Sequence, residues 1–269
     1  MLPPTLPIKA VDPLSWATLS MREDIAKILL GREDVGPNTP DEDGRTPLLW
    51  AAESRYHGVV EILLEREDVT PDTADKSGRT PLSWAAGNGC EGTVKMLLEQ
   101  GDAATDQNGR TSLWWAAENG HKSVVMMLLR REDITPGTAD KEGRTPLSWA
   151  TGHGHDDVME MLIEQDVTPN TIDEDNQTPL SWAAERGHTS IVKMLRERSS
   201  VSQDIITTYP TGQTALTQTS QKGHAGAIKR QFENRDSVPQ SVGSDSSTKP
   251  FPDDFSQSSQ HPFKRIRRS

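Results

Sequence analysis

Several groups of residues in this chain have types and spacings that could do chemistry. His153, His155, Asp156 and Asp157 bring four metal-ligand side chains within five positions. Gly87-Asn88-Gly89-Cys90-Glu91-Gly92 spells G-x-G-x-x-G, which cradles a diphosphate when it joins a strand to a helix. Trp16, Trp50, Trp84, Trp115, Trp149 and Trp182 form a ladder of rings that could stack on a flat ligand or a sugar. Arg45, Arg79, Arg110 and Arg144 form a second ladder, ending in Gln177, and each could offer a fork of donors to a carboxylate. Asp41, Asp75, Asp106, Asp140 and Asp173 stand four residues before these positions. Lys264-Arg265-Ile266-Arg267-Arg268 is a short basic cluster of the nuclear-import kind. No G-x-x-x-x-G-K-[ST], H-E-x-x-H or G-x-S-x-G run accompanies them.

The elements that must position these residues come from one repeated phrase. GRTPLSWAA at 78–86 returns as GRTPLLWAA at 44–52, GRTSLWWAA at 109–117, GRTPLSWAT at 143–151 and NQTPLSWAA at 176–184. With the Pro position as marker, the series runs Pro13, Pro47, Pro81, Ser112, Pro146, Pro179 and Ala215, in steps of 34, 34, 31, 34, 33 and 36 residues. A fixed period of this size signals a stacked array. Thr46 and Thr80 suit an N-cap, and Pro suits the first helical position because its missing amide costs nothing there. Leu48, Ala51 and Ala52 then share one helical face. A break such as Asn119-Gly120-His121 leads to a second stripe: Val60, Leu63 and Leu64 in one repeat, Val94, Leu97 and Leu98 in the next. A Pro-, Asp- and Thr-rich arm with a tight turn follows and ends at Gly78 in the third repeat. Helices of about nine residues are marginal alone in water, so each pair must bury its face against its neighbours.

Register decides most of the candidate sites. The glycine run at 87–92 follows a helix, and its counterpart in the next repeat is Glu118-Asn119-Gly120-His121-Lys122-Ser123, so it is a helix–helix turn. His155 shares a register with His121, His188 and His224, so it too is expected to serve the turn, and no metal site is assigned. Cys90 takes the same register and is expected to be inert. The Trp rings are expected to pack as core between repeats, because an array needs large buried areas. The Arg ladder supports two accounts: local Arg–Asp pairs that tidy each turn, or forks presented to a partner.

Period and phrase together resemble the ankyrin repeat, whose signature is T-P-L-H-x-A with Gly-His at the helix–helix turn. Ser83, Ser148 and Ser181 stand where that family prefers His, and Trp stands where Leu is common. This Ser-Trp variant, with acidic second-helix ends such as Leu64-Glu65-Arg66-Glu67-Asp68-Val69, looks like arrays common in filamentous fungi. The resemblance implies an all-α solenoid of paired short helices with hairpin-like arms, in about six to seven repeats. It covers 12–232, with repeats near 12–45, 46–79, 80–110, 111–144, 145–177 and 178–213, and a degenerate one at 214–232. Residues 1–11 form a Pro-rich lead. Met21-Arg22 and Arg55-Tyr56 replace Gly-His, and the arm between Leu98 and Gly109 has lost three residues, which predicts a local notch in a stack that persists.

The composition sets further bounds. One cysteine excludes an internal disulfide framework, and the first residues lack a basic start and a long apolar run, which together predict an intracellular chain. No run of 18 apolar residues is present, so no membrane span is expected. Residues 233–269 are aperiodic and rich in Ser, Gln, Asp and Pro, which predicts a disordered tail. Five acidic residues against six basic ones leave that tail at +1, so residues 1–232 carry −12 of the chain's net −11. An acidic array is a poor match for nucleic acid.

The resemblance implies a non-enzymatic protein-binding module, an adaptor, scaffold or transcriptional co-regulator, expected to be monomeric and without a cofactor. The alternative is a detached ligand-sensing array of a larger fungal NTPase-type receptor. The family's concave face is built from arm tips and first-helix ends. Here the tips carry Glu42-Asp43, Lys76-Ser77, Gln107-Asn108, Lys141-Glu142 and Glu174-Asp175, with Arg45, Arg79, Arg110 and Arg144 beside them; Glu118 and Asn119 are the helix-end candidates. The nucleus is favoured over the cytoplasm on the strength of Lys264, Arg265, Arg267 and Arg268. Replacing those four residues by Ala should move a fluorescent fusion from nucleus to cytoplasm in live-cell imaging; unchanged nuclear accumulation would rule the cluster out as the import signal.

Overall fold

A computed structural model of the chain describes residues 12–55, 57–100, 105–165 and 167–197. The lead at 1–11, the degenerate repeat at 214–232, the tail at 233–269 with its basic terminus, and residues 101–104 of the short arm lie outside the described residues. Among the described residues there are twelve helices and no strand. They form six pairs: α1 (Pro13–Leu19) with α2 (Glu23–Leu30), α3 (Pro47–Glu53) with α4 (His57–Leu64), α5 (Pro81–Gly87) with α6 (Glu91–Leu98), α7 (Ser112–Glu118) with α8 (Lys122–Leu129), α9 (Pro146–His153) with α10 (Asp156–Glu164), and α11 (Pro179–Arg186) with α12 (Thr189–Glu197). Odd-numbered helices pack side by side in one row, even-numbered helices in a second row, and each pair packs on itself.

The helix starts follow the chemistry of the repeated phrase. Oγ1 of Thr46, Thr80, Thr111, Thr145 and Thr178 accepts the amide three residues on, at 3.1–3.3 Å. Asp12 caps α1 in the same way, its Oδ1 accepting the amides of Leu14 and Ser15. Leu48, Ala51 and Ala52 are buried, as are Val60 and Leu63, and Leu64 is half-buried. One continuous apolar core runs through all six pairs, from Leu14 in α1 to Leu195 in α12. The stack persists across the short arm, since α5 packs directly on α7.

The turn between the two helices of a pair is tied to the repeat before it. His121 Nε2–H donates to Gly87 O at 2.9 Å, His155 to Glu118 O at 2.9 Å and His188 to Gly152 O at 3.0 Å. Each ring thus satisfies a carbonyl near the C-terminus of the preceding first helix, one of those a helix leaves unpaired. Cys90, in the same register, is buried and places its Sγ 3.7 Å from Ser54 O. Burial raises its thiol pKa, only partly offset by Arg55, which keeps it protonated and unreactive. Gly154 takes φ +81°, and a Cβ there would stand 2.7 Å from the His188 ring, so the residue before each His must be bare. Met21 takes the left-handed conformation in the first pair, at φ 58°. Just past the second helices, Arg66 and Arg131 each pair with an Asp two residues on and donate across the repeat boundary, to Leu30 O and Leu98 O.

Each arm is closed by an Asp. In the arm before α5, Asp75 Oδ1 accepts the amides of Ser77 and Arg79, at 2.8 and 3.0 Å. Asp75 N–H donates to Arg79 O and Gly78 N–H to Asp75 O, which completes a tight tip. Consecutive tips are joined by one backbone hydrogen bond each: Lys76 to Asp43, Gln107 to Ser77, Lys141 to Asn108 and Glu174 to Glu142, at 2.8–3.0 Å. The tip of the short arm keeps its place in this series.

Burial pushes the Asp75 carboxyl up, but hydrogen bonds from Ser77, Trp84 and the Arg79 and Ser77 amides outweigh it and hold the carboxyl below its usual 3.8. A folded-state pKa below the unfolded one means stability that is present at neutral pH and lost as the pH falls through the folded value. Asp75→Asn should therefore lower the melting temperature at pH 7, and the gap to wild type should close as the pH drops below about 4. Thermal melts at several pH values measure it; a gap that is constant down to pH 3 contradicts the assignment.

Candidate functional site

The tryptophan ladder is not core, contrary to the expectation from sequence. Trp84, Trp115, Trp149 and Trp182 are half-buried, Trp16 is 50% exposed, and only Trp50, at 8%, is buried. The physical reason is angular. Trp50 lies two residues after Leu48, about 200° around the helix from the Leu48–Ala51–Ala52 stripe. The rings therefore line the opposite face, beside the arms. The fully buried indole is Trp114, one position earlier, where other repeats have Leu49 or Ser83.

The arginine and tryptophan ladders interleave into one column. The Arg79 guanidinium lies 3.6 Å from the centre of the Trp84 ring and 3.7 Å from that of Trp115. Arg45 lies between Trp50 and Trp84 at 4.7 and 4.5 Å, and Arg110 lies over Trp114 and Trp115 at 4.7 and 5.0 Å. Such contacts each contribute about 0.5–2 kcal/mol depending on exposure. The arm carboxylates fix the rings from the edge. Nε1–H of Trp50, Trp84 and Trp182 donates to Oδ2 of Asp41, Asp75 and Asp173, at 2.9–3.0 Å.

Neither account of the Arg–Asp rows is sufficient, because indole competes with guanidinium for the carboxylate. Ion pairs between the two rows occur in the arms before α7 and α9, at 3.9 Å for Arg110–Asp106 and 3.6 Å for Arg144–Asp140. After those two arms, Nε1 of Trp115 and Trp149 has no hydrogen-bond partner. Trp114 is wedged there, 4.9 Å from the Trp115 ring and 4.8 Å from that of Trp149.

This column floors a groove between arm tips and first-helix ends. One cavity of about 490 Å³ is bordered by Asp43, Arg45, Lys76, Ser77, Arg79, Asn108 and Arg110, with Asp75, Asp106, Trp84 and Trp115. A second, of about 310 Å³, is bordered by Asn88, Glu118, Asn119 and His153 along with Gly87, and shares Arg79, Trp84 and Trp115 with the first. Of the residues expected from sequence to face a partner, the groove brings together Asp43, Arg45, Lys76, Ser77, Arg79, Asn108, Arg110, Glu118 and Asn119. Gln107 is exposed on its tip and donates from Nε2 to Lys76 O. Glu42, Lys141, Glu174 and Asp175 are exposed on their tips but border neither cavity. Glu142 is half-buried and faces Arg144 at 3.1 Å. Burial raises the Glu118 carboxyl pKa, against the pull of Arg110, Arg79 and Arg144, and burial brings Arg79 down to about 10.

His153 and His155 point to different tasks. His153 stacks on Trp149 with ring centres 5.3 Å apart, while His155 is spent on Glu118 O. Among the described residues, no three of His, Cys, Asp and Glu are grouped to hold a metal ion. No helix among them is long and apolar enough to cross a membrane. The import cluster Lys264, Arg265, Arg267 and Arg268 lies outside the described residues.

Two adjacent indoles thus have different duties. Trp114→Ala should destabilise by about 3–5 kcal/mol, as for a buried aromatic. Trp115→Ala should cost clearly less, since half of that ring faces the groove. Denaturant unfolding of the two variants side by side tests this; equal losses would return Trp115 to the core.

The family model described as Ankyrin repeats (3 copies) matches residues 14–105, 68–136, 100–173 and 131–209. No curated protein matches the chain. The matched segments span most of the sequence and coincide with the six helix pairs and their arms, so the chain belongs to the ankyrin-repeat family.

Proposed function

We propose that the chain works by docking a segment of another protein along the groove between its arm tips and first-helix ends. Ankyrin repeats are in general protein–protein interaction modules. The observation that carries this reading to a particular surface is the pair of cavities that share Arg79, Trp84 and Trp115. Their rims include arm tips and first-helix ends, positions that core packing leaves free to vary. Exposed Glu42, Asp43, Glu174 and Asp175 on the tips favour a polar, partly basic segment, with an association rate that falls as salt rises. An adaptor role, or a nuclear one as a transcriptional co-regulator, fits the basic cluster at Lys264–Arg268. The same acidic tips disfavour direct binding of nucleic acid by the array.

The test is a charge-reversal scan against a partner obtained by pull-down with the full chain. Glu42→Lys and Glu174→Lys should each weaken binding several-fold and leave the melting temperature unchanged. Lys95→Glu, on the exposed side of the second helices, should have no effect. If Lys95→Glu abolishes binding while both tip changes leave it intact, the opposite side of the array is the interface.

A further inference from the structure

One arginine of the groove lacks the carboxylate that its counterparts have. Eight residues after each ladder position stand Glu53, Gly87, Glu118, Gly152 and Glu185. At two of the three Glu positions the side chain reaches back to the ladder: Arg45 Nη1 meets Glu53 Oε2 at 3.0 Å, and Gln177 Nε2 donates to Glu185 Oε2 at 3.4 Å, while Arg110 meets Asp106 rather than Glu118. Arg79 has Gly87 at that position. No carboxylate pairs with it among the described residues, and its Nε, like those of Arg110 and Arg144, has no hydrogen-bond partner. The one hydrogen bond of its guanidinium among the described residues is a long one, from Nη2 to Ser83 O at 3.5 Å. A Cβ placed on Gly87 would stand 3.2 Å from that Nη2, so the missing side chain would have reached the guanidinium edge.

Gly152, the other glycine of the series, is different. Arg144 there already faces Glu142 at 3.1 Å and Asp140 at 3.6 Å, and Arg186 Nη1 donates to Gly152 O at 3.1 Å. The space left beside them is only about 10 Å³. At Arg79 both groove cavities open on the side chain.

We propose that Arg79 is the anchor for one Asp or Glu side chain of the bound segment, seated against its edge as Glu53 is against Arg45. This rests on the docking reading above and adds to it the chemistry of one contact. Two indoles hold both faces of the guanidinium, so only the edge is free, and it is already oriented. A planar fork fixed in this way loses little freedom on binding, and charge-assisted hydrogen bonds to it are strong. Burial already depresses the Arg79 pKa to about 10, so an arriving anion stabilises a cation that the protein holds at a cost. The charge of the ligand is limited by the surroundings. Asp75, Asp106 and Glu53 act on Arg79, and Glu118 borders the same cavity, so a single carboxylate fits where a phosphate dianion meets four like charges.

The test uses the full chain and a display library of random linear peptides with fixed flanks at both ends, so that no free C-terminal carboxylate competes. Peptides selected on the wild type should carry Asp or Glu at one fixed position. Neutralising it to Asn or Gln in the synthetic peptide should weaken binding roughly tenfold to a hundredfold. Gly87→Glu supplies the carboxylate within the protein; it should weaken the acidic peptide by a similar factor and make the peptide change nearly silent, with a cooperative melt showing that the variant is folded. Arg79→Gln should do the same to binding. Selected peptides without an acidic position, or equal affinity for Gly87→Glu, overturn the Arg79 anchor and leave the docking groove standing. If every selected peptide binds Glu42→Lys, Glu174→Lys and Gly87→Glu as tightly as wild type, or if none is selected, the groove itself is not the docking site and both readings fall.

Discussion

One carboxylate in each arm holds this surface in shape. Its Oδ1 takes two amides of the tip, and in Asp41, Asp75 and Asp173 the Oδ2 takes an indole N–H nine residues on. The first interaction folds the arm. The second sets the rotation of the tryptophan, and a ring held by its edge presents its faces to the arginines on either side. The column of alternating rings and guanidiniums therefore depends on an aspartate that stands outside the apolar core. Around it stands a more general constraint: helices of seven to nine residues cannot sustain themselves, so every contact that locks one repeat also has to lock its neighbour.

Much of this was legible in the residues. Thr before Pro at a constant period identified the helix starts, and the apolar spacing identified the buried stripe. Register alone moved His155 from metal ligand to turn residue, and it now bonds Glu118 O. The tryptophans were misread because ring size was weighed above angle: Trp50 sits on the far side of its helix from Leu48, and that was countable from spacing. Trp114 shows the complement, an indole buried at the position that elsewhere holds Leu49 or Ser83. The cavities were not readable, because each is walled by at least two repeats whose separation is a matter of packing. Nor was the distribution of carboxylate partners, since Asp75 stands the same four residues before Arg79 as Asp140 does before Arg144, yet only the second pair meets.

The array is thus regular in its scaffold and irregular in its charges. Core positions repeat because each must match two neighbours, while the position eight residues beyond the arginine alternates between Glu and Gly without any effect on the stack. Trp at 114, where other repeats have Leu49 or Ser83, accompanies the costlier irregularity: Nε1 of Trp114, Trp115 and Trp149 is unbonded, whereas Trp50, Trp84 and Trp182 each find an aspartate.

The joints between repeats are unequal across their width. On the helix side neighbouring pairs are fused through a shared apolar core and through histidine rings that reach back to the previous repeat. On the arm side, consecutive tips share a single backbone hydrogen bond, and behind them Arg45 and Arg79 bridge tryptophans of neighbouring helix pairs. Each joint is thus fastened by a continuous apolar seam along the helices and by a few discrete polar contacts along the arms. A change in groove width would fall first on those discrete contacts, at the tips, and last on the seam, much as a bound book fans its pages while the spine stays sewn.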